Sequence, residues 1–210
     1  MKAAYADRYG PPEVVKLREV ERPTPTGNEI LVRVRAASVN RSDLDGLRPK
    51  PGFVRLFMGM RAPRNQEVGI DAAGVVEEVG PEVTRFTPGD AVMTDLFAAA
   101  RFGAFAEYVC ARERAFEPIP SGMSFEEAAT LPHSAILALQ GMRLRSGRTF
   151  GPGANVLIDG ASGNVGPFAV QIAKAMGAEV TGVARGDKLD FVRSLGADHA
   201  IDYETVDYTR

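Results

Sequence analysis

The chain has 210 residues, of which 45% are hydrophobic, and a formal net charge of −2 at pH 7. This balance argues against a protein dedicated to nucleic acid or membrane surfaces, because phosphate-rich partners attract clustered excess Lys and Arg. The single cysteine, Cys110, excludes an intrachain disulfide framework and a cysteine-rich structural zinc site. Neither a membrane-spanning apolar run nor a signal-peptide core is recognisable, so we expect a cytoplasmic protein without nucleic-acid or membrane partners.

The first half of the chain predicts a β-rich domain. Short segments that are apolar or alternate apolar with polar residues, bounded by Gly and Pro, are typical of strands around a barrel-like core. The predicted strands are 2–6, 14–19, 30–36, 74–80, 90–93 and 105–110. Residues 41–64 interrupt this pattern and are predicted to form a basic loop, in which one or two cations could face an anionic ligand.

The pattern becomes helical at Ser124. Ser124 and Glu127 have the spacing of a capping box, and an alanine-rich segment follows them. Pro132 is expected to end or kink this helix, and Ser134 to begin the next one. We therefore place a domain boundary here, with a first domain at 1–122 and a second at 123–210.

The second domain begins with a strand, a glycine turn and a helix. Residues 155–159 predict the strand, and an apolar helix follows the turn; further strands are predicted at 179–184 and 199–203, separated by a short helix at 187–195. This order fits a βαβ dinucleotide-binding unit. We predict that the turn binds a pyrophosphate through Gly160, Ala161, Ser162, Gly163, Asn164, Val165 and Gly166. The alternative is a turn of another α/β fold that binds no phosphate.

The end of the second predicted strand bears on the choice of cofactor. NAD sites usually place an acidic residue there, which binds the ribose 2′-hydroxyl, whereas a basic environment accommodates the 2′-phosphate of NADP. The strand ends at Ala184, and Arg185 and Lys188 follow it. These residues favour NADPH over NADH, although Asp187 reduces the local positive charge.

The barrel-like first domain, the linker helix after Ser124 and the Gly160–Gly166 turn together resemble the medium-chain dehydrogenase/reductase superfamily. More narrowly they resemble its zinc-independent quinone oxidoreductase branch, to which zeta-crystallin belongs. The resemblance implies an α/β plus β fold, in which a GroES-like β-barrel domain precedes a Rossmann domain. It also implies NADPH-dependent hydride transfer to a small quinone, enone or other activated C=C or carbonyl acceptor, by a protein that often forms homodimers.

The same resemblance bears on metal and site residues. The positions that bind catalytic zinc in alcohol dehydrogenases are matched here by Asn40, Ile70 and His133. An amide and an isoleucine cannot replace thiolate and imidazole ligands, so no catalytic zinc is expected. The resemblance makes Asn40 the catalytic candidate on the substrate side, and it places Lys188 and Tyr203 with Arg185 at the cofactor's 2′-phosphate end.

The predicted elements of the second domain make up only the first half of a Rossmann fold. The strand at 155–159 would therefore lack its second neighbour and expose an edge. We expect the chain to be an incomplete version of an oxidoreductase. The alternative is a non-catalytic truncated product that binds nucleotide or a partner chain.

Overall fold

The computed structural model describes residues 1–50, 52–97, 102–143 and 150–208. The chain packs as two compact units, Met1–His133 and Ser134–Arg210. This division lies further along the chain than the boundary that we place after residue 122, because the helix that follows Ser124 packs against the sheet of the first unit.

The first unit is built on antiparallel strands. Those described are β1 (Lys2–Ala6), β2 (Val15–Glu19), β3 (Glu29–Ser38), β4 (Asp71–Val79), β5 (Ala91–Asp95), β6 (Tyr108–Arg112) and β7 (Phe116–Pro118). Strands β1 and β2 pair with each other, and the others form a sheet in the order β6-β3-β4-β5-β7. Ile30, Val92 and Phe116 are fully buried in the core beneath that sheet. The β-rich first half predicted from the sequence is confirmed.

The helices of the first unit correct one prediction. The segment that we predict as a loop contains α1 (Arg41–Leu47) and α2 (Arg55–Met58), preceded by a short 3-10 helix at Gly52–Val54. The loop prediction is therefore wrong for these residues. The signal that marks α1 is a cap, because the Asp43 carboxylate accepts a hydrogen bond of 2.7 Å from the Asn40 backbone N–H.

The helix after Ser124 forms as expected. It is α3 (Phe125–Thr130), and the two hydrogen bonds of the Ser124–Glu127 capping box are present, at 3.2 and 2.9 Å. The next helix, α4 (Pro132–Gly141), begins at the proline rather than at Ser134, so that predicted start is wrong. Proline suits the first position of a helix, because the N–H that it lacks would have no partner there.

The second unit contains a parallel sheet with helices. Its described elements are β8 (Asn155–Asp159), α5 (Gly166–Ala175), β9 (Glu179–Ala184), α6 (Leu189–Ser194) and β10 (His199–Asp202). The sheet order is β10-β9-β8. Within the described residues β8 is an edge strand, and Leu157 on it is 52% exposed. This is the order expected for the first half of a Rossmann domain, and the exposed edge predicted for this strand is present.

Two glycines explain the shape of the turn between β8 and α5. Gly160 has a φ of +70°, a left-handed conformation that side chains disfavour. A Cβ atom at Gly166 would lie 2.2 Å from the carbonyl oxygen of Gly160, so the helix start packs directly on the turn. The glycine spacing in the sequence thus reflects both a backbone conformation and a close approach.

Candidate functional site

A buried carboxylate organises the polar interior of the first unit. Asp71, at the start of β4, has no solvent exposure. Its oxygens accept hydrogen bonds from the His133 backbone N–H at 3.2 Å, from Asn40 Nδ2 at 3.1 Å and from Ser38 Oγ at 3.5 Å. Burial, reinforced by the nearby Asp95 carboxylate, raises the pKa of Asp71 to about 7.

His133 connects two further side chains. Its imidazole Nδ1 lies 3.1 Å from Asp95 Oδ2, and its Nε2 lies 2.8 Å from Ser42 Oγ. An ionised carboxylate only accepts hydrogen bonds, so Nδ1 carries the proton in the neutral ring and Nε2 accepts from the Ser42 hydroxyl. The ring of Phe97 packs edge-on against the imidazole, with centroids 5.7 Å apart. The result is a hydroxyl–imidazole–carboxylate chain.

The predicted catalytic residue lies beside this chain. Asn40 is 4% exposed, and its amide nitrogen donates to both Asp71 and Ser38. Its catalytic role stays a prediction. Ser42 and Asp95 were not singled out from the sequence, because His133 lies 91 residues from one and 38 from the other, and one sequence does not show which distant polar residues meet.

The donors at the three positions matched to zinc ligands do not suit that metal. Asn40 offers an amide, Ile70 is a fully buried hydrocarbon, and both ring nitrogens of His133 already have hydrogen-bond partners. Across the described ranges, no group of three or more His, Cys, Asp or Glu side chains is arranged to hold a metal ion. The prediction that the protein uses no catalytic zinc stays a prediction.

A cavity of about 470 Å³ lies in the first unit. Most of its wall is apolar, and its lining includes Asp43, Gly46, Leu47, Met58, Phe97 and Phe102. Asp43 is 6% exposed, one of its carboxylate oxygens lacks a hydrogen-bond partner within the described structure, and burial raises its pKa. Such a cavity suits a small, largely apolar molecule with a polar group.

The glycine turn of the second unit is suited to hold an anion. The residue before α5, Val165, makes no side-chain cap, so the first N–H groups of this ten-residue helix have no side-chain acceptor there. Asn164 in the turn donates to Ser134 Oγ at 2.9 Å. A Cβ at Gly160 would meet nothing within 4 Å, so the space next to the turn is open. Asp159, at the end of β8, is exposed and pairs with the Tyr208 hydroxyl.

Two of the predicted cofactor cations lie together after β9. Arg185 forms two hydrogen bonds of 2.7 Å with the Asp187 carboxylate, and Lys188 Nζ lies 3.9 Å from the same carboxylate. Tyr203 is 51% exposed and interacts electrostatically with Arg185. The structure therefore brings Arg185, Lys188 and Tyr203 to one region at the end of β9, with Asp187 between the two cations.

Comparisons with known proteins agree with this architecture. The alcohol dehydrogenase GroES-like domain family matches residues 26–121, and the zinc-binding dehydrogenase family matches residues 164–210. The chain therefore carries an alcohol dehydrogenase GroES-like domain and the start of a zinc-binding dehydrogenase domain, and its homologues belong to the medium-chain dehydrogenase/reductase superfamily. The predicted GroES-like domain and the start of a Rossmann-type domain are thereby confirmed.

Members of the medium-chain dehydrogenase/reductase superfamily that resemble the chain include quinone oxidoreductases. The chloroplastic quinone-oxidoreductase homolog of Spinacia oleracea is 36% identical over 204 residues, which are 96% of this chain and 60% of that protein. The quinone oxidoreductase of Coxiella burnetii matches with a TM-score of 0.82 and 32% identity over 99% of this chain and 64% of that one. The Escherichia coli quinone oxidoreductase complexed with NADPH has a TM-score of 0.82 and 27% identity, over 99% of this chain and 60% of that one.

Replacing Asp71 with Asn should change how stability depends on pH. The raised pKa of Asp71 means that its stabilising contribution is complete below pH 4 and is lost as pH rises through about 7. Between pH 5 and pH 8, wild type should lose about 2–3 kcal/mol of unfolding free energy relative to Asp71→Asn. Urea denaturation of both proteins at the two pH values measures this change.

The control for this experiment is Asp190→Asn, because the Asp190 side chain is fully exposed on α6. Its stability difference from wild type should be the same at pH 5 and pH 8. A difference between wild type and Asp71→Asn that does not vary with pH would contradict the assignment of a raised pKa to Asp71.

Proposed function

We propose that the protein is an NADPH-dependent oxidoreductase that transfers hydride to a quinone or to an activated C=C or carbonyl acceptor. The observation that carries the proposal is the uncapped, glycine-lined start of α5 in the same unit as the cations that follow β9. Similarity to quinone oxidoreductases, one of them complexed with NADPH, supports it. The chain spans about 60% of the length of those relatives, so the activity proposed is that of the whole protein.

The proposed cofactor site uses the second unit alone. Two N–H groups of the turn already have partners, because Ala161 donates to the Val183 carbonyl at 2.9 Å and Gly163 donates to the Gly160 carbonyl at 2.8 Å. The pyrophosphate would lie against the Gly160–Gly166 turn and be held mainly by the N–H groups at the start of α5, where the helix end is partially positive. Arg185 and Lys188 would hold the 2′-phosphate, with Tyr203 beside them. When bound, NADPH supplies the hydride, and the protein contributes binding, orientation and electrostatics.

The proposed acceptor site is the cavity of the first unit. Its apolar wall suits a quinone or enone ring. Asn40 is proposed for the substrate side of the reaction. An acceptor that is already electrophilic needs no Lewis acid, which agrees with a donor set at Asn40, Ile70 and His133 that does not suit zinc.

One observation favours the alternative of a non-catalytic protein that binds nucleotide or a partner chain. Among the strands that the structure describes, β8 lies at the sheet edge with Leu157 exposed, and an unpaired edge can accept a strand from another chain. Homodimerisation and a cytoplasmic location stay predictions. In the described part of the chain, no helix has the length and apolar character needed to cross a membrane.

Turnover by the full-length protein tests the proposed function. With 1,4-benzoquinone or an enone as acceptor, the absorbance of NADPH should fall at a rate proportional to the enzyme concentration. If neither the quinone nor the enone supports NADPH oxidation, the reductase assignment is contradicted. The 210-residue chain, assayed in parallel, is expected to bind NADPH without turnover, and its turnover would show that the incomplete Rossmann half suffices.

Replacing Arg185 with Ala should reduce the preference for NADPH over NADH. Loss of a charge-assisted contact to the 2′-phosphate should weaken NADPH binding by roughly tenfold and leave NADH binding within about twofold. Calorimetric titration of the chain with 2′,5′-ADP and with 5′-AMP isolates this effect at the adenosine end.

The matched control is Arg193→Ala, which removes an exposed arginine that also pairs with an aspartate, Asp190, but lies on α6. It should bind both nucleotides as wild type does. An unchanged ratio of the two affinities in Arg185→Ala would show that Arg185 does not select the cofactor.

A further inference from the structure

The basic segment 48–64 concentrates positive charge on the surface of the first unit. It contains five exposed lysines and arginines and no acidic residue. The five cations are Arg48, Lys50, Arg55, Arg61 and Arg64. Among the residues that the structure describes, none of the five pairs with a carboxylate, whereas Arg85 and Arg193 elsewhere on the surface do. The basic segment thus carries charge that no described acidic side chain neutralises.

Three of these cations border one cleft. The cleft has a volume of about 680 Å³, and its lining includes Arg48, Lys50, Arg55 and Tyr9. The Arg55 guanidinium lies over the Tyr9 ring, 4.9 Å from its centroid, and Arg64 interacts electrostatically with the same tyrosine. An anionic group that entered this cleft would therefore meet several positive charges at once.

The basic segment also exposes large apolar side chains. Phe53, Leu56 and Met60 are 63%, 57% and 64% exposed. Phe53 and Leu56 are three residues apart on the consecutive helical turns at Gly52–Val54 and α2, a spacing that places two side chains on one face. A single exposed apolar residue is ordinary on a protein surface, but a group of them is typical of an interaction surface.

Hydrogen bonds hold the basic segment against the first unit. The Tyr9 hydroxyl donates to the Gly59 carbonyl at 2.8 Å, and the Arg64 N–H donates to the Met58 carbonyl at 2.8 Å. Met58 on α2 lines the cavity of the first unit, whereas Leu56, two residues earlier, faces solvent. The helix α2 therefore has one side toward the protein interior and another toward a partner outside.

A membrane that contains anionic lipids satisfies both features of the basic segment. Lipid phosphates attract the cations, and the boundary between headgroups and acyl chains receives exposed apolar side chains. A small soluble anion accounts for the cations but leaves Phe53, Leu56 and Met60 in water. An acidic protein would need an apolar face of matching shape, whereas a bilayer accepts these side chains without one.

The net charge of the whole chain does not oppose such binding. Salt screens exposed charges beyond about 8 Å at physiological ionic strength, so the charge close to the lipid surface decides the attraction. The chain total of −2 includes carboxylates distributed along the whole sequence, whereas the basic segment has none. The expectation that the protein has no membrane partner used the total and not this local charge.

We propose that the basic segment is a peripheral docking surface for membranes that contain anionic lipids. Its cations contact the headgroup phosphates, and Phe53, Leu56 and Met60 insert at the boundary with the acyl chains. The binding is reversible and uses no membrane-spanning element. It goes beyond the proposed function and does not depend on it, since no residue of the proposed cofactor site takes part.

Vesicle sedimentation with the full-length protein tests this docking surface. Phosphatidylcholine vesicles that contain one-third phosphatidylglycerol should bind the protein at least roughly tenfold more tightly than pure phosphatidylcholine vesicles. Added salt should weaken the binding, because it screens the attraction between the cations and the lipid phosphates.

The triple variant Arg48→Gln/Lys50→Gln/Arg61→Gln should bind the anionic vesicles roughly 10²-fold more weakly, since each cation near an anionic lipid surface contributes about fivefold. It retains the contacts of Tyr9 with Arg55 and Arg64. The matched control Arg112→Gln/Arg114→Gln/Arg193→Gln removes the same charge from exposed residues outside the basic segment, and it should bind within about twofold of wild type. Thermal unfolding of both variants checks that they fold as wild type does.

A tryptophan at position 53 reports insertion directly. The 210 residues contain no tryptophan. The emission that Phe53→Trp adds to that of wild type should move to shorter wavelength with anionic vesicles, because the indole leaves water. Phe191→Trp, at an exposed position on α6, is the control and should show no such movement.

The outcomes decide between the membrane and other partners. Equal binding of wild type to both kinds of vesicle overturns the proposal, as does equal weakening in the two triple variants, which would assign the effect to net charge. Vesicle binding without a change in Phe53→Trp emission overturns the insertion of the apolar side chains. Binding to polyglutamate or to an oligonucleotide but not to vesicles overturns the proposal in favour of an acidic protein or a nucleic acid.

Discussion

The first unit depends on one buried carboxylate. Asp71 on β4 accepts hydrogen bonds from Ser38 and Asn40, which lie at the junction of β3 and α1, and from the second residue of α4. A single side chain thus joins β4 to two segments that are distant from it and from each other in sequence. A buried carboxylate is costly unless donors surround it. The donors gathered around Asp71 also place His133, because its backbone N–H is one of them. The same contacts thus hold the fold together and position an imidazole.

The second unit depends on a steric constraint. The contact between Gly166 and the Gly160 carbonyl lets α5 start directly after the turn, so its N–H groups come close to the end of β8. The parallel pairing of β8 and β9 then brings Arg185 and the turn to the same edge of the sheet, since parallel strands end on one side. The proposed binding of a dinucleotide with a 2′-phosphate needs both features at one sheet edge, donors for the pyrophosphate and cations for the 2′-phosphate.

The sequence predicts local structure well here and distant contacts poorly. Strands 155–159 and 179–184 have the bounds predicted from their apolar runs, and the Ser124 cap forms as its spacing indicates. The α1 helix was missed because its seven residues include a glycine and several charges, and an Asn40–Asp43 cap is a weaker signal than the capping box at Ser124.

The candidate site shows the same contrast. The turn at Gly160–Gly166 was found because its residues are contiguous. The hydroxyl–imidazole–carboxylate chain of Ser42, His133 and Asp95 was not found from the sequence. Its members come from α1, α4 and β5, and the packing around Asp71 brings them together. Hydrogen bonds between segments so far apart leave no periodicity or spacing in a single sequence.

Amide chemical shifts of the isotopically labelled chain during titration with NADPH test the central claim most directly. The account predicts the largest shifts at the amides of Gly160, Gly163 and Gly166 and at the Arg185 side chain, with saturation below millimolar NADPH. Shifts confined to other residues, or none at millimolar NADPH, would contradict it.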